Sequence, residues 1–345
     1  MTKPTLNLSL DLDNKWAYLK AAGRATWKDL PSYLPAACHH IGTCLGQADV
    51  HSTIFVVGQD LLNTEDLEAV RGLARLGHDF GNHSFHHEPW LHLYDREKIA
   101  YELDKTDELL AQVGGRHSRG FRGPGYSDSP LVHEMLAERG YRYCASQFSS
   151  CIGPLARAYF FLRTGLKREQ RRGREKLFGS FKAGLGRNRP YTLGVDGPAV
   201  WMIPVTVVPV VRLPFHFSYM HYLAEKSPAL ARGYLATALG LCRAFRMQPS
   251  LLLHPLDFIG GDEEPDLAFF PGMKQTGASK RKRMREYLTM LKQGHAVQTL
   301  GESVAKLDGR PYSRRVSGEV LKPAHNPRLK RQSAGPLEKF RISGK

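Results

Sequence analysis

The 345-residue chain lacks long apolar runs, paired-cysteine motifs and a GxGxxG fingerprint after its first predicted strand. No uninterrupted apolar segment is long enough to form a membrane-spanning helix, and a dinucleotide site is not indicated. The five cysteines are odd in number and form no CxxC, so free thiols in a reducing compartment are the simplest interpretation. Since the first residues do not resemble a signal peptide either, we expect a cytoplasmic location.

The excess positive charge is confined to two segments. Residues 156–190 contain 11 Lys and Arg against 2 Asp and Glu, and residues 309–345 contain 10 against 2. The rest of the chain holds 28 basic and 29 acidic residues, out of totals of 49 and 33. A nucleic-acid-binding domain would carry a basic face on the fold itself, so no nucleic acid partner is expected. The two segments are interpreted as appendages that bind an anionic partner.

Short apolar strands alternate with amphipathic helices, which predicts an α/β fold with a parallel sheet and outer helices. The length favours a closed (β/α) barrel over an open sheet. We expect the barrel over 5–307, interrupted by a basic insertion at about 153–190, and a disordered basic tail over 308–345. Predicted strands include 5–10, 52–57, 120–122, 141–145, 200–211, 250–253 and 296–299, and predicted helices include 64–76, 95–113, 129–139, 227–247 and 279–293.

The segment 77–87 (Gly-His-Asp-Phe-Gly-Asn-His-Ser-Phe-His-His) holds four of the 15 histidines. His83 and His87 are spaced i, i+4, which on a helix or helical turn places two imidazoles on one face. Two neutral imidazoles and a carboxylate make a catalytic zinc site with a position open for water. The alternative is a histidine-rich polar loop. His86 is interpreted as a loop residue, and His78 as packing at the end of its strand.

Other unusual polar residues fall at the ends of predicted strands. They are Asp11 and Asp13 after the first strand, His83 and His87 after the third, Arg122 after the fourth and His254 after the seventh. Each has an ordinary alternative, such as a turn or helix cap for the aspartates and a satisfied core position for the histidine. Because the carboxyl ends of barrel strands meet at one rim, we expect these side chains to converge there.

These motifs resemble the polysaccharide deacetylases, the NodB-homology or carbohydrate esterase family 4 group, over roughly residues 5–305. The resemblance is carried by 9–13 (Ser-Leu-Asp-Leu-Asp), 77–87, 121–124 (Phe-Arg-Gly-Pro) and 251–255 (Leu-Leu-Leu-His-Pro), and 77–87 is the most specific match. It implies a distorted (β/α)7 TIM-like barrel. It also implies a metal-dependent deacetylase, usually with Zn²⁺, which removes N- or O-acetyl groups from a glycan or glycan precursor.

The resemblance implies a metal centre and a base. Asp13, His83 and His87 would bind Zn²⁺ or another divalent metal, which would activate a water molecule. Asp11 would take the proton from that water. Arg122 would pair with Asp11 and orient its carboxylate.

The resemblance also implies a proton donor and an oxyanion site. His254 would protonate the leaving amine or alkoxide, and Gly125 with Tyr126 would face the substrate, with a backbone N–H near Gly125 as the oxyanion donor. Gly125 stands where many members have an aromatic residue. The Asp-Trp motif that normally orients the histidine is not found, and Asp257 and Trp201 are the candidates to replace it.

The first motif departs from the common pattern, in which the two aspartates are adjacent. Leu12 separates Asp11 from Asp13, as in a subset that includes intracellular and cyclic-amide-acting members, so which aspartate is the base stays open. A hydrolase of small linear or cyclic amides is therefore one alternative function. An inactive carbohydrate- or membrane-binding subunit is the other, and the complete set of candidate residues disfavours it.

The insertion at about 153–190 mixes aromatic with basic residues. This composition fits an anionic membrane surface, one lip of a groove for an anionic glycan, or a solvated surface without a partner. We expect a cytoplasmic enzyme that acts on an acetylated glycan or glycan precursor. The inner face of the membrane is a candidate location for this activity.

Overall fold

The computed structural model describes residues 3–151, 186–193 and 199–308. Their strands form a curled nine-stranded sheet in the order β6-β7-β5-β4-β3-β2-β1-β8, and β9 pairs with the start of β1. β6 is antiparallel to β7, and the other pairs are parallel. The strands are β1 (Thr5–Leu12), β2 (Thr53–Val56), β3 (Asp79–Asn82), β4 (Arg116–Phe121), β5 (Tyr143–Cys144), β6 (Tyr191–Thr192), β7 (Trp201–Met202), β8 (Ser250–Leu253) and β9 (Ala296–Gln298).

Helices cover the outside of this sheet. They are α1 (Lys15–Ala21), α2 (Leu34–Gln47), α3 (Thr64–Arg75), α4 (Arg96–Val113), α5 (Pro130–Glu138), α6 (Phe217–Ala224), α7 (Pro228–Ala244), α8 (Gly277–Gly294) and α9 (Leu300–Asp308). The main core joins the even-numbered leucines of β1 to apolar residues of α2 and α8. Burial of each such leucine contributes about 1.5–3 kcal/mol. The predicted α/β class with a curled, mostly parallel sheet is confirmed.

Residues after β7 lie between β5 and β8. Phe148 forms a parallel bridge with Val205, and Thr206 N donates to Ser250 O at 2.9 Å. Ser250 N in turn donates to Thr206 Oγ1 at 2.8 Å. These bonds draw the curled sheet towards a closed barrel.

The long predicted helices are confirmed to within a few residues, but other elements differ. The expected strand over 200–211 is short: only Trp201–Met202 forms β7, because Pro204 and Pro209 have no N–H for a ladder. The sequence pattern does not predict α1, α6 or α9. α1 and α6 are only two turns long, and α9 begins just after the last predicted strand.

Most of the two basic segments lies outside the residues that the structure describes. Residues 153–185 of the insertion and 309–345 of the tail lie outside the described residues, so the domain boundaries stay a prediction. The five cysteines are free, and four of them are buried. Of the helices described, none combines the length and apolar character needed to cross a membrane.

Candidate active site

β1 brings three polar side chains to the inside of the curled sheet. Alternate residues of a strand face the same side, so Ser9 and Asp11 point inward and Asp13, just past the strand, continues the series. Leu12 points the other way and is fully buried in the main core. The Asp-Leu-Asp spacing therefore follows from the strand, since it places both carboxylates at one rim.

Asp13, His83 and His87 meet at this rim. Asp13 Oδ1 lies 3.3 Å from His83 Nε2 and 3.1 Å from His87 Nε2, and all three ligand atoms lie within 4.8 Å of one another. In a tetrahedral site with bonds of about 2.0–2.2 Å, neighbouring ligand atoms lie about 3.3–3.6 Å apart. Asp13 Oδ1 is buried and accepts no hydrogen bond within the described residues. The donor set and its spacing fit a divalent metal.

A second bond orients His83 for this role. Its Nδ1 donates to the backbone oxygen of Arg122 at 2.6 Å, which leaves the Nε2 lone pair directed at Asp13 and His87. The ring is 2% exposed.

The carboxylates at the rim create an electrostatic environment that favours a bound cation. Burial lowers the pKa of His83, but Asp11 and Asp13 outweigh it and the net pKa is raised. Burial raises the pKa of Asp13, but the His87 and His83 imidazoles bring the net value well below its ordinary range. A site that favours a proton between carboxylate and imidazole also favours a metal ion that displaces it.

The predicted helical explanation for the i, i+4 spacing is wrong. The residues after β3 form an irregular loop, in which Ser84 (φ 61°) and His87 (φ 53°) adopt left-handed backbone conformations. Buried Glu102 on α4 anchors this loop by accepting from Phe85 N and His86 N, both at 2.8 Å. Sequence reasoning missed Glu102, which lies among apolar residues of a helix.

The other two histidines of the segment lie away from the metal-binding atoms. His86 Nδ1 contacts Glu102 Oε1 at 2.7 Å, and the His86 side chain is 44% exposed, as expected for a loop residue. His78 precedes β3, and its Nδ1 accepts from Ser52 N at 3.2 Å. His78 is buried, as its predicted packing role requires.

Arg122 is fully buried behind Asp11. Its Nη1 donates to Asp11 Oδ1 at 2.6 Å, its Nε donates to Ala145 O at 2.9 Å, and both terminal nitrogens reach Ser9 Oγ at 3.1 Å. The guanidinium also lies over the ring of Phe55, 4.4 Å from its centroid, a favourable cation–π arrangement. These contacts fix the position of Asp11, and Ser9 is a partner that sequence reasoning missed.

His254 follows β8, whose pairing of Leu10 with Leu253 places it beside Asp11. Ser218 Oγ lies 3.3 Å from His254 Nδ1 and donates to Asp257 Oδ1 at 3.0 Å. Asp257 Oδ2 accepts from His254 N at 2.8 Å, and burial raises the pKa of Asp257. Asp257, through Ser218, is thus the candidate that contacts His254.

Trp201, the other candidate to orient His254, is directed elsewhere. Its indole N–H donates to Asp308 Oδ1 on α9. Trp201 therefore does not contact His254 through its indole N–H, and its ring packs against the cluster that contains Phe55 and Tyr143.

Gly125 and Tyr126 line the rim next to Asp11. Gly125 is exposed with a left-handed backbone (φ 57°), and Tyr126 N donates to Gly123 O at 2.9 Å. The Tyr126 ring stacks on Phe148 with centroids 5.1 Å apart. Burial and the nearby Asp11 raise the pKa of Tyr126, so its hydroxyl lies within electrostatic reach of the site.

A buried polar network supports Asp13 from behind and was also missed. Asp60 Oδ1 accepts from Trp16 Nε1 at 2.7 Å and from Asn14 Nδ2 at 2.9 Å, and Tyr33 Oη donates to Asp13 O at 2.6 Å. The Trp16 ring meets His87 edge-on. The bonds to Asn14 and to the backbone oxygen of Asp13 hold this segment in place and so limit the movement of the Asp13 carboxylate.

Comparison with known proteins gives a family match for part of the chain. Residues 24–144 match the family model described as polysaccharide deacetylase, which confirms the family resemblance that the sequence motifs predict. The matched segment contains His83, His87 and Arg122, whereas Asp11, Asp13 and His254 lie outside it.

Two curated relatives are uncharacterised. YlxY of Bacillus subtilis strain 168 is 30% identical over 95 residues, which is 28% of this chain and 29% of that protein. A 30.6 kDa protein from the fumA 3′ region of Geobacillus stearothermophilus is 40% identical over 103 residues, or 28% of this chain and 36% of that protein. The chain thus matches about a third of the length of each.

A solved structure supports the fold over a wider range. A Mycobacterium smegmatis crystal structure, assigned provisionally to the polysaccharide deacetylases, is 18% identical with a TM-score of 0.58. The alignment covers 92% of this chain and 94% of that one. At this identity the likeness concerns the fold.

Proposed function

Because residues 24–144 match the polysaccharide deacetylases, we propose that the protein is a metal-dependent deacetylase of an N- or O-acetylated glycan or glycan precursor. The observation that carries this proposal is the convergence of Asp13, His83 and His87 beside the Asp11–Arg122 pair. A metal-dependent hydrolase uses a metal centre to activate water and a nearby base to take the proton from that water.

The metal would be held by Asp13 Oδ1, His83 Nε2 and His87 Nε2. When bound, it supplies Lewis acidity and lowers the pKa of water at its open position. Zn²⁺ is the ion we favour, since two imidazoles and one carboxylate are a common catalytic zinc set.

Asp11 would act as the base. Arg122 takes one of its carboxylate oxygens at 2.6 Å and holds the carboxylate in a fixed direction. Because Arg122 is also bound to Ser9 and Ala145, Asp11 would accept a proton without having to reorient.

His254 would be the acid on the other side of the substrate. Ser218 and Asp257 hold the residue by its ring and its backbone, which leaves Nε2 as the ring nitrogen that would protonate the leaving amine or alkoxide. Since Tyr126 N is already bonded to Gly123 O, the exposed Gly125 supplies the backbone N–H that would stabilise the oxyanion.

Aromatic rings around the rim support a sugar substrate. Tyr126 stacks on Phe148, and Tyr219 packs edge-on against His216. Flat aromatic faces with polar tips suit a partner that is apolar on one face and polar at its edges.

Acetate release tests the proposal. The metal-loaded chain is incubated with chito-oligosaccharides, acetylated exopolysaccharide and small linear and cyclic amides. We expect acetate from at least one glycan, and release about 10²–10⁴-fold slower from an Asp11→Asn variant. Hydrolysis of small amides alone would favour the alternative enzyme, and no turnover of any substrate by a metal-loaded chain would favour a binding subunit.

Location is a separate proposal that rests on sequence. We propose a cytoplasmic enzyme that contacts the inner membrane face through the basic insertion at 153–190. Co-sedimentation with vesicles tests this: binding should require anionic lipid and weaken with salt. Equal sedimentation with neutral vesicles would contradict it.

A further inference from the structure

A second group of metal-binding side-chain types lies outside the proposed active site. Asp128 comes from the segment after β4, His133 from α5 and Cys144 from β5. Their ligand atoms lie within 4.8 Å of one another. None of the three has a role in the proposed deacetylation.

We propose that Asp128, His133 and Cys144 form a second site for a divalent ion of the zinc class. Thiolate, imidazole and carboxylate are the three donor types that zinc prefers, and three protein ligands leave the fourth position to water. Cys144 Sγ lies 3.9 Å from Asp128 Oδ1, close to the roughly 3.6 Å expected for two ligands of one tetrahedral ion.

One contact must open when the ion binds. His133 Nε2 and Asp128 Oδ1 are 2.6 Å apart and share a proton, whereas two ligands of one ion lie about 3.3 Å apart. Both side chains are partly exposed, at 18% and 24%, and a displacement of less than 1 Å is enough to reach that spacing. The same exposure gives an ion a path in from solvent.

The thiol lies beneath this pair and is fully buried. Burial raises the pKa of Cys144, which disfavours a free thiolate and argues against a nucleophilic role. A divalent ion would compensate for this: the Sγ–metal bond forms as the S–H bond breaks, and the proton passes to solvent. Ser146 Oγ, 3.0 Å from Sγ, can then rotate to donate to the bound sulfur.

The ordinary alternative is structural. Asp128 precedes the Ser129 cap of α5, so its bond to His133 would merely secure the first turn. That alternative accounts for two of the three groups. It does not involve the thiol, whose Sγ lies 3.9 Å from Asp128 Oδ1.

Cobalt substitution separates the two sites, because only the second contains sulfur. Co²⁺ bound to a thiolate gives an intense near-ultraviolet charge-transfer band, which a site of carboxylate and imidazoles lacks. Full-length protein titrated with Co²⁺ should bind two equivalents and show the band. Cys144→Ser should abolish the band and one equivalent, and His133→Gln should weaken it.

Matched controls use thiols and histidines elsewhere. Cys38→Ser and Cys242→Ser replace buried thiols away from the site and should keep the band. A His83→Ala, His87→Ala double variant should lose the Co²⁺ equivalent bound at the proposed active site but should keep the charge-transfer band. Absence of the band in the wild type, or its loss with the exposed Cys151→Ser instead of Cys144→Ser, would overturn the proposal and leave the deacetylase proposal unaffected.

Discussion

The backbone oxygen of Arg122 accepts a hydrogen bond from His83 Nδ1 at 2.6 Å, while the side chain of the same arginine donates to Asp11 at 2.6 Å. One buried residue thus positions both a metal-ligand candidate and the candidate base. The direction of the imidazole and the direction of the carboxylate are set from a single point at the end of β4. Because both side chains bond to the same buried residue, the His83 imidazole and the Asp11 carboxylate are oriented relative to each other.

Alanine at either His83 or His87 should remove metal and activity together. Two remaining protein ligands hold a divalent ion weakly, so bound metal should fall from about one equivalent at this site to near zero. Elemental analysis and acetate release measure the two effects. His86→Ala is the matched control, since His86 bonds Glu102 instead. Retained metal in both the His83 and His87 variants would contradict the assignment.

Substitution of Asp11 and substitution of Asp13 should have different effects on metal content. Asp11→Asn should keep the metal but lower kcat by about 10²–10⁴, the range for loss of a general base. Asp13→Asn should lose the metal as well. Metal content and kcat of both variants decide the question, and the opposite pattern would mean that the two roles are exchanged.

Ser218→Ala should lower kcat with no loss of metal, because it frees the His254 ring from its Nδ1 contact. A decrease of about 10-fold is expected, comparable to loss of an outer-shell hydrogen bond. Trp201→Phe is the control, since Trp201 bonds Asp308. Steady-state kinetics should show equal KM values for the two variants. A larger loss in Trp201→Phe than in Ser218→Ala would refute this role for Ser218.

Asp60 should make stability depend on pH. Burial, opposed by bonds from Trp16 and Asn14, raises its pKa from 3.8 to about 7. The folded state therefore binds more protons than the unfolded state between about pH 4 and 7, and stability should fall as pH rises through that window. Asp60→Asn keeps an acceptor for Trp16 but cannot ionise.

Urea unfolding at pH 4 to 8 measures this effect. The wild type should lose up to a few kcal/mol relative to Asp60→Asn as pH rises from 4 to 7, and the difference should level off above pH 7. Parallel curves for the two proteins would show that Asp60 ionises normally in the folded state.

Much of the rim could be predicted because its residues break a pattern. Asp11, Asp13 and His254 are polar residues at the ends of apolar strands, so strand periodicity and the common end of a parallel sheet predict that they lie near one another. The curled α/β sheet follows from the same alternation of strands and helices.

The residues that hold the site could not be predicted. Ser9 and Glu102 look like ordinary positions in a strand and a helix, and only tertiary contacts reveal their partners. The i, i+4 spacing singles out His83 and His87, whose ligand atoms do lie together, but the helical explanation of that spacing is wrong. A left-handed loop, not a helix, brings them together, and backbone conformation of this kind leaves no periodic signal.

Removal and return of the metal tests the central claim most directly. The purified full-length chain is stripped with a chelator, assayed for acetate release on an acetylated glycan that it hydrolyses, and titrated with Zn²⁺ alongside an Asp13→Asn variant. Activity should vanish on stripping and return as zinc refills the site, whereas the variant should stay inactive at the same zinc concentrations. Full activity in the stripped protein, or full recovery in Asp13→Asn, would contradict a metal centre built from Asp13, His83 and His87.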